Sequence, residues 1–268
     1  MAGMRIVVCL PGEARTRLDE ALAEAMAPFE LDYARAEELD IWDSWRICGH
    51  GAHRDGFQLL PGRGDDPRIM REVRGEDVPG WCAGGPREAI AIAEIRAEAS
   101  DTARAAWDLW RELSGSHPPA APRRELPAVP WRTPEEFRAG RLAEEEAGAA
   151  FDAQPLVVAY REAVAALLEA RRGYDLGGFL HRGAAETVGW SGREEFAAAE
   201  SAGIPSHRHV LTLDGWWYGE DDPVHGDCDG PDACVHRPPL PGPRATATTR
   251  YLEELPGDTL LVYLRCHV

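Results

Sequence analysis

The chain has 268 residues, with 46 acidic against 29 basic side chains and a formal net charge of −17. It contains no Lys and no Asn, so every basic residue is Arg. That excludes a Walker-type phosphate loop, a Schiff-base Lys such as pyridoxal phosphate chemistry uses, a protein-kinase site and N-glycosylation, each of which needs one of the missing residues.

Within the first ten residues, Arg5 to Leu10 forms a short apolar stretch that stops at Pro11-Gly12. That is too short for a signal peptide and predicts a first, buried strand, with a cytoplasmic location as the expectation. From Glu13 to Ala27, Leu18, Leu22 and Met26 share one helical face, and Pro28 ends the run. Ile41–Ile47, with Trp42 and Trp45, alternates as a second strand, and Phe57–Leu60 forms a third. Pro86–Leu113 predicts a long helix with Pro86 at its first position and a break near Ser100-Asp101.

Five prolines between Ser114 and Pro130 mark an extended connection. Thr133-Pro-Glu-Glu136 reads as a capping box for a helix to about Ala150, and Leu156–Arg172 continues after Pro155. Ser191-Gly-Arg-Glu194 reads as a second capping box. His209–Leu213 and Trp216–Tyr218 flank Asp214-Gly215, a hairpin signal. One or two helical turns fit 248–255, and Thr259–Cys266 is a last strand.

The expected fold class is α+β: a small mixed or antiparallel sheet from N- and C-terminal strands, helices on one side of it, and a helical middle section. The expected parts are 1–113, the connection 114–130, a helical section 131–203, and a C-terminal part 204–268, together one compact domain. The Arg5–Leu10 and Thr259–Cys266 strands are expected to share a sheet, because neither can fold alone.

Three clusters carry ligand chemistry. His225, Cys228, Cys234 and His236 are the residue types of a zinc site, though five residues between the cysteines fit no standard finger. A Cys228–Cys234 disulfide and a solvated acidic loop are the alternatives. Cys48-Gly-His50-Gly-Ala-His53 could supply part of a second metal site, with Arg54 and Asp55 beside it. The C-terminal Cys266-His267 could join that site if the first and last strands are neighbours. His207 and His209 would share a strand face, by the two-residue period. Trp42, Trp45, Trp216 and Trp217 are expected to fill a sheet core.

Two segments carry a resemblance. Trp42-Asp-Ser-Trp45-Arg-Ile47-Cys-Gly49 resembles a Trp-Asp-x-Trp-x-Ile-x-Gly segment in a group of uncharacterised proteins from actinobacteria and their phages. Leu255-Pro-Gly-Asp-Thr-Leu-Leu, ending in Cys266-His267, resembles the C-terminus of that group. The likeness covers about a seventh of the chain and departs at His50–His53. It implies a context and no mechanism.

Three functional expectations follow. The first is a non-enzymatic acidic binding or accessory protein, acting on a basic or protein partner or on a cation, without membrane attachment. The charge would repel a phosphate backbone, so no direct nucleic-acid binding is expected. The second is a metal-dependent hydrolytic or oxidative enzyme using His50, His53 and His267. The third is a metal or redox sensor built on Cys228 and Cys234, with zinc as the cofactor.

Overall fold

The protein is described here by a computed structural model, which covers residues 3–30, 42, 44–49, 55–72, 78–125, 133–171, 173–176, 179–180, 184–207, 209–219, 222–228, 234–236, 240 and 244–267. The fold is α+β. In chain order it contains β1 (Met4–Leu10), α1 (Leu18–Met26), β2 (Ser44–Ile47), β3 (Phe57–Gln58), β4 (Trp81–Cys82), β5 (Gly84–Pro86) and α2 (Ile92–Leu113). Then come α3 (Pro134–Asp152), α4 (Pro155–Ala170), α5 (Ala184–Thr187) and α6 (Arg193–Ser201). The chain closes with β6 (Val210–Leu211), β7 (Trp216–Tyr218), β8 (Val224–His225), α7 (Arg244–Glu254) and β9 (Leu260–His267).

The chain divides into two compact units. One takes Met1–Arg96, Tyr174–Gly177 and Ala202–Val268; the other takes Ala97–Gly173 and Gly178–Ser201.

The first unit is built on a mixed sheet ordered β2-β9-β1-β6-β7-β8, with β5 also on β9. β1 and β9 pair antiparallel over their length, from Met4 opposite Cys266 to Leu10 opposite Leu260. The two terminal strands therefore share a sheet, as expected. The other edge of β9 is divided: β5 takes Leu260–Val262, and β2 takes Leu264–His267. β6 runs parallel to β1.

Both sheet faces are covered, which corrects the expectation of helices on one side. On one face Leu22 and Met26 of α1, with Phe29, Trp42 and Trp217, pack on Ile6, Val8, Val262 and Leu264. On the other, Phe57, Ile90, Ile92 and Leu252 of α7 pack on Val7, Cys9, Leu261 and Tyr263. A strand buried on both sides needs a continuous apolar run rather than alternation, which is what β1 and β9 carry. Each such Val or Leu contributes about 1.5–3 kcal/mol by leaving water. The expected core tryptophans Trp42, Trp216 and Trp217 are buried, and the Trp42 indole N–H donates to Met26 O at 3.2 Å.

The long helix starts at Ile92, six residues after Pro86. Pro86 instead ends β5 opposite Leu260, and the next N–H, from Arg87, donates to Thr259 O at 2.8 Å. Pairing with β9 overrides the local preference of Pro for a helix start. α2 is continuous through Ser100-Asp101, and the Thr102 hydroxyl is absorbed by Glu98 O at 2.6 Å.

In the second unit, the Thr133 capping box is present in both directions. The second expected box shifts by one residue. Ser191 donates backwards to Thr187 O, while the Gly192 N–H meets the Glu195 carboxylate at 3.4 Å. The Pro-rich connection is tied to α4 by the Gln154 amide, which accepts from Ala121 N at 2.6 Å and donates to Ala121 O at 3.0 Å. Trp110 and Tyr160 meet edge to face at 5.2 Å between ring centres.

The hairpin forms where expected: β6 and β7 pair, and Gly215 takes the left-handed conformation at φ +79. His207 and His209 do not share a face. The His207 ring lies against Phe57 and Tyr263 on one side of the sheet, and the His209 ring faces Trp217, whose side chain belongs to the other core. The strand begins only at Val210, so the two-residue period does not reach back to them.

Two measurements test this packing. Gly56 has φ +98, and a Cβ there would stand 2.3 Å from Cys82 O and 2.7 Å from the Gly49 Cα. Gly62 has φ +77 and open space around it. Gly62→Ala should cost about 1 kcal/mol in denaturant melts from conformation alone. Gly56→Ala should cost roughly 3 kcal/mol or more, because backbone cannot yield. Equal costs would show that the close approach is not maintained.

The second test uses His207. Its Nε2 is buried with no hydrogen-bond partner among the described residues, and burial pushes its pKa down to about 4. Between the ordinary value near 6.5 and 4, the unfolded chain takes up a proton that the folded chain refuses. Stability should therefore fall as pH is lowered through that window, by roughly 3 kcal/mol when complete. His207→Phe should lack this pH dependence, so the difference between wild-type and variant stability should change by that increment across the window. A pH-independent difference would contradict it.

Candidate metal centre

The sequence-predicted cluster lies at the β8 edge of the sheet. β8 pairs with β7, setting His225 opposite Trp216. The tryptophan ring meets His225 edge to face at 5.0 Å, and His225 is buried. This hydrophobic wall fixes His225 on the sheet before the loop begins.

Hydrogen bonding then selects the tautomer. His225 Nε2 lies 2.9 Å from Asp214 O, in the hairpin turn. A carbonyl can only accept, so Nε2 carries the proton and Nδ1 carries the lone pair. Nδ1 accepts from the Asp227 N–H at 3.2 Å. A histidine that donates one ring N–H to a carbonyl and offers the other nitrogen is the usual outer-shell arrangement of a metal ligand. Drawing Nδ1 onto a cation would cost the Asp227 bond, about 1 kcal/mol.

The chain turns immediately after His225, with the Cys228 N–H donating to His225 O at 3.2 Å. This brings the thiol back towards β8. His236 stacks on His225 with ring centres 3.9 Å apart and planes 19° apart. Its Nδ1 stands 3.2 Å from Cys228 Sγ and 3.9 Å from Cys234 Sγ. In a tetrahedral zinc site, bond lengths near 2.3 Å to sulfur and 2.0–2.1 Å to nitrogen set a sulfur–nitrogen edge of about 3.5 Å. The two observed distances bracket that edge.

His225, Cys228 and His236 offer ligand atoms that lie within 4.8 Å of one another. Cys234 adds the second thiol through His236. Cys228 and Cys234 are free thiols within hydrogen-bonding reach of each other. Burial first, and then that thiol contact, hold the Cys228 pKa above its ordinary value, so a bound cation would have to displace its proton. The group brought together, one thiol and two imidazoles, could hold a metal ion and is compatible with zinc, and Cys234 approaches it only at His236.

The other cysteines are of a different kind. Cys9, Cys48, Cys82 and Cys266 are all buried. Burial pushes the Cys48, Cys82 and Cys266 thiols up to about 12 and raises Cys9 as well. They pack as small apolar side chains and are poor nucleophiles.

Of the second expected site, His50, His53 and Arg54 lie outside the described residues. Its flanks are described: Cys48 and Asp55 are buried, and Gly49 and Gly56 pack against each other on the Cys82–Ala83 backbone. The topology that would bring Cys266-His267 near this turn is present, since β2 pairs with β9 and sets Trp45 opposite Cys266. His267 is half-buried opposite Ser44, at the sheet edge remote from His225. The residues that sequence reasoning did not single out are Asp214, whose carbonyl orients His225, and Trp216 as the wall behind it. The Asp-Gly turn signal placed Asp214 correctly but gave no sign of that role.

No described helix is long and apolar enough to cross a membrane. Comparison with protein-family models, with curated proteins and with solved structures returns no match for this chain.

Proposed function

We propose that this protein binds zinc through His225, Cys228, Cys234 and His236, and that the metal organises an acidic loop for a binding or accessory role. The observation that supports this reading is the double approach of one nitrogen, His236 Nδ1, to two free thiols at 3.2 and 3.9 Å, beside a histidine already oriented by a carbonyl. Four protein ligands fill a tetrahedron and leave no position for an activated water. The zinc is therefore structural or sensory at this site, and a hydrolytic role for it is disfavoured.

The loop itself supports the coupling. Val235 is exposed, and the segment from Asp222 to His236 has few apolar side chains to bury. A segment of that composition does not order itself by burial, so metal-binding free energy would appear as local folding energy. The net charge of −17 favours accumulation of cations around the loop and favours a basic partner once it is ordered.

Untagged protein should carry one zinc per chain by elemental analysis. Replacement by cobalt should produce the visible bands of a tetrahedral thiolate site. Cys228→Ser should lose the metal and open the loop to protease, while the core, read by tryptophan fluorescence, stays folded. Metal-free protein that fails to bind cobalt, or a Cys228→Ser variant with full zinc content, would refute the assignment.

A further inference from the structure

A row of positive charge lies at the opposite edge of the same sheet. On β9, Arg265 stands directly opposite Arg5 of β1 and directly opposite Arg46 of β2. Residues directly opposite in antiparallel pairs point to one face, so three guanidinium groups stand in a row across three adjacent strands. This occurs in a chain of net charge −17. Like charges directly opposite each other destabilise a sheet.

Two of the three are neutralised. Arg5 pairs with the buried Asp55 carboxylate, and Arg46 Nη1 lies 3.8 Å from Glu72 Oε1, whose side chain is only 6% exposed. The middle one, Arg265, has no hydrogen bond or ion pair among the described residues. The next row of the same face is Gly3, His267 and Ser44, with His267 opposite Ser44 and Gly3 one step beyond the β1–β9 ladder. Gly3 has no side chain, and Arg265 Nε lies 2.6 Å from where its Cβ would be. The missing side chain leaves the guanidinium room to lie at the rim of a cleft of about 270 Å³, lined among others by Ser44, Arg46, Arg265 and His267.

We propose that this cleft binds a small oxyanion, a phosphate group, with Arg265 as its principal ligand. A guanidinium offers two parallel N–H groups that match two phosphate oxygens. Arg46, held by Glu72, flanks it, and Ser44 and His267 line the same cleft with further polar atoms. The depression is open to solvent, which suits a small anion rather than an enclosed organic ligand. A nucleic-acid backbone would need a track of cations, and the remainder of the charge opposes one. Nothing in this inference depends on the zinc site.

The test is calorimetric titration of the full chain at constant ionic strength, with inorganic phosphate in one arm and methyl phosphate in the other. Saturable binding is expected, and Arg265→Gln should weaken it by at least about tenfold. The thermal stability of Arg265→Gln without phosphate should be unchanged or raised, because the unpaired middle charge is gone. A residue with a structural role would do the reverse. Should Arg265→Gln fail to fold, Arg265→Lys keeps the charge, gives up the two-pronged geometry, and should weaken binding. Tighter binding of methyl phosphate assigns the site to an esterified phosphate, and tighter binding of inorganic phosphate to the free anion. No saturable binding in either arm, undiminished binding in the Arg265 variants, or clear destabilisation of Arg265→Gln would overturn the proposal.

Discussion

β9 is hydrogen-bonded on both edges, and the first unit depends on that. One edge is taken by β1 over its whole length, and the other is shared end to end by β5 and β2. A strand in this position has no free backbone groups to offer water and no face to show it. Its side chains must therefore be apolar on both sides, and both sides must be roofed. α1 with Phe29 and Trp42 roofs one; α7 and the start of α2 roof the other. Polar chemistry is pushed to where that double burial ends: the far β8 edge, and the end of β9 where Arg265 and His267 come up into partial exposure.

The cysteines follow the same division. Four lie within or against the doubly covered sheet, with burial holding them as thiols. Cys228 and Cys234 alone stand on a loop, beside two imidazoles. Ligand chemistry thus tracks distance from β9 rather than residue type. Charge is also unevenly placed: the sequence after β8 is acidic, while three arginines share one row at the β2 side. Two buried carboxylates, Asp55 and Glu72, hold the outer arginines of that row.

What was legible in the sequence was local, or was forced by burial. β1 and β9 could be matched because each carries a continuous apolar run, Ile6–Leu10 and Leu260–Leu264, and such strands need each other. The Asp214-Gly215 turn and the Thr133 capping box were readable because each is set by a few adjacent residues. The His225–His236 cluster was readable for the same reason. The errors came where tertiary pairing competes with local preference. Pro86 suits a helix start, yet it is held in β5 by β9. Ser191 suits a cap, yet its hydroxyl finds Thr187 O and leaves the cap to Gly192. His207 and His209 were given a strand's alternation one turn of chain too early. The arginine row was invisible, because Arg5, Arg46 and Arg265 are unremarkable until the register of three strands is known.

The pairing of Leu10 with Leu260 also has a kinetic side. Joining segments so far apart in the chain costs little at equilibrium, since each doubling of a closed loop adds only about 0.6 kcal/mol. The rate is another matter. High contact order slows folding, because the entropy of closure is lost before any buried strand repays it. Until that closure, two largely apolar strands lie uncovered, each a template for pairing with another chain. The central strand of the first unit is thus covered only once β1, β2 and β5, all distant in the chain, have found it, and that search is its most hazardous interval.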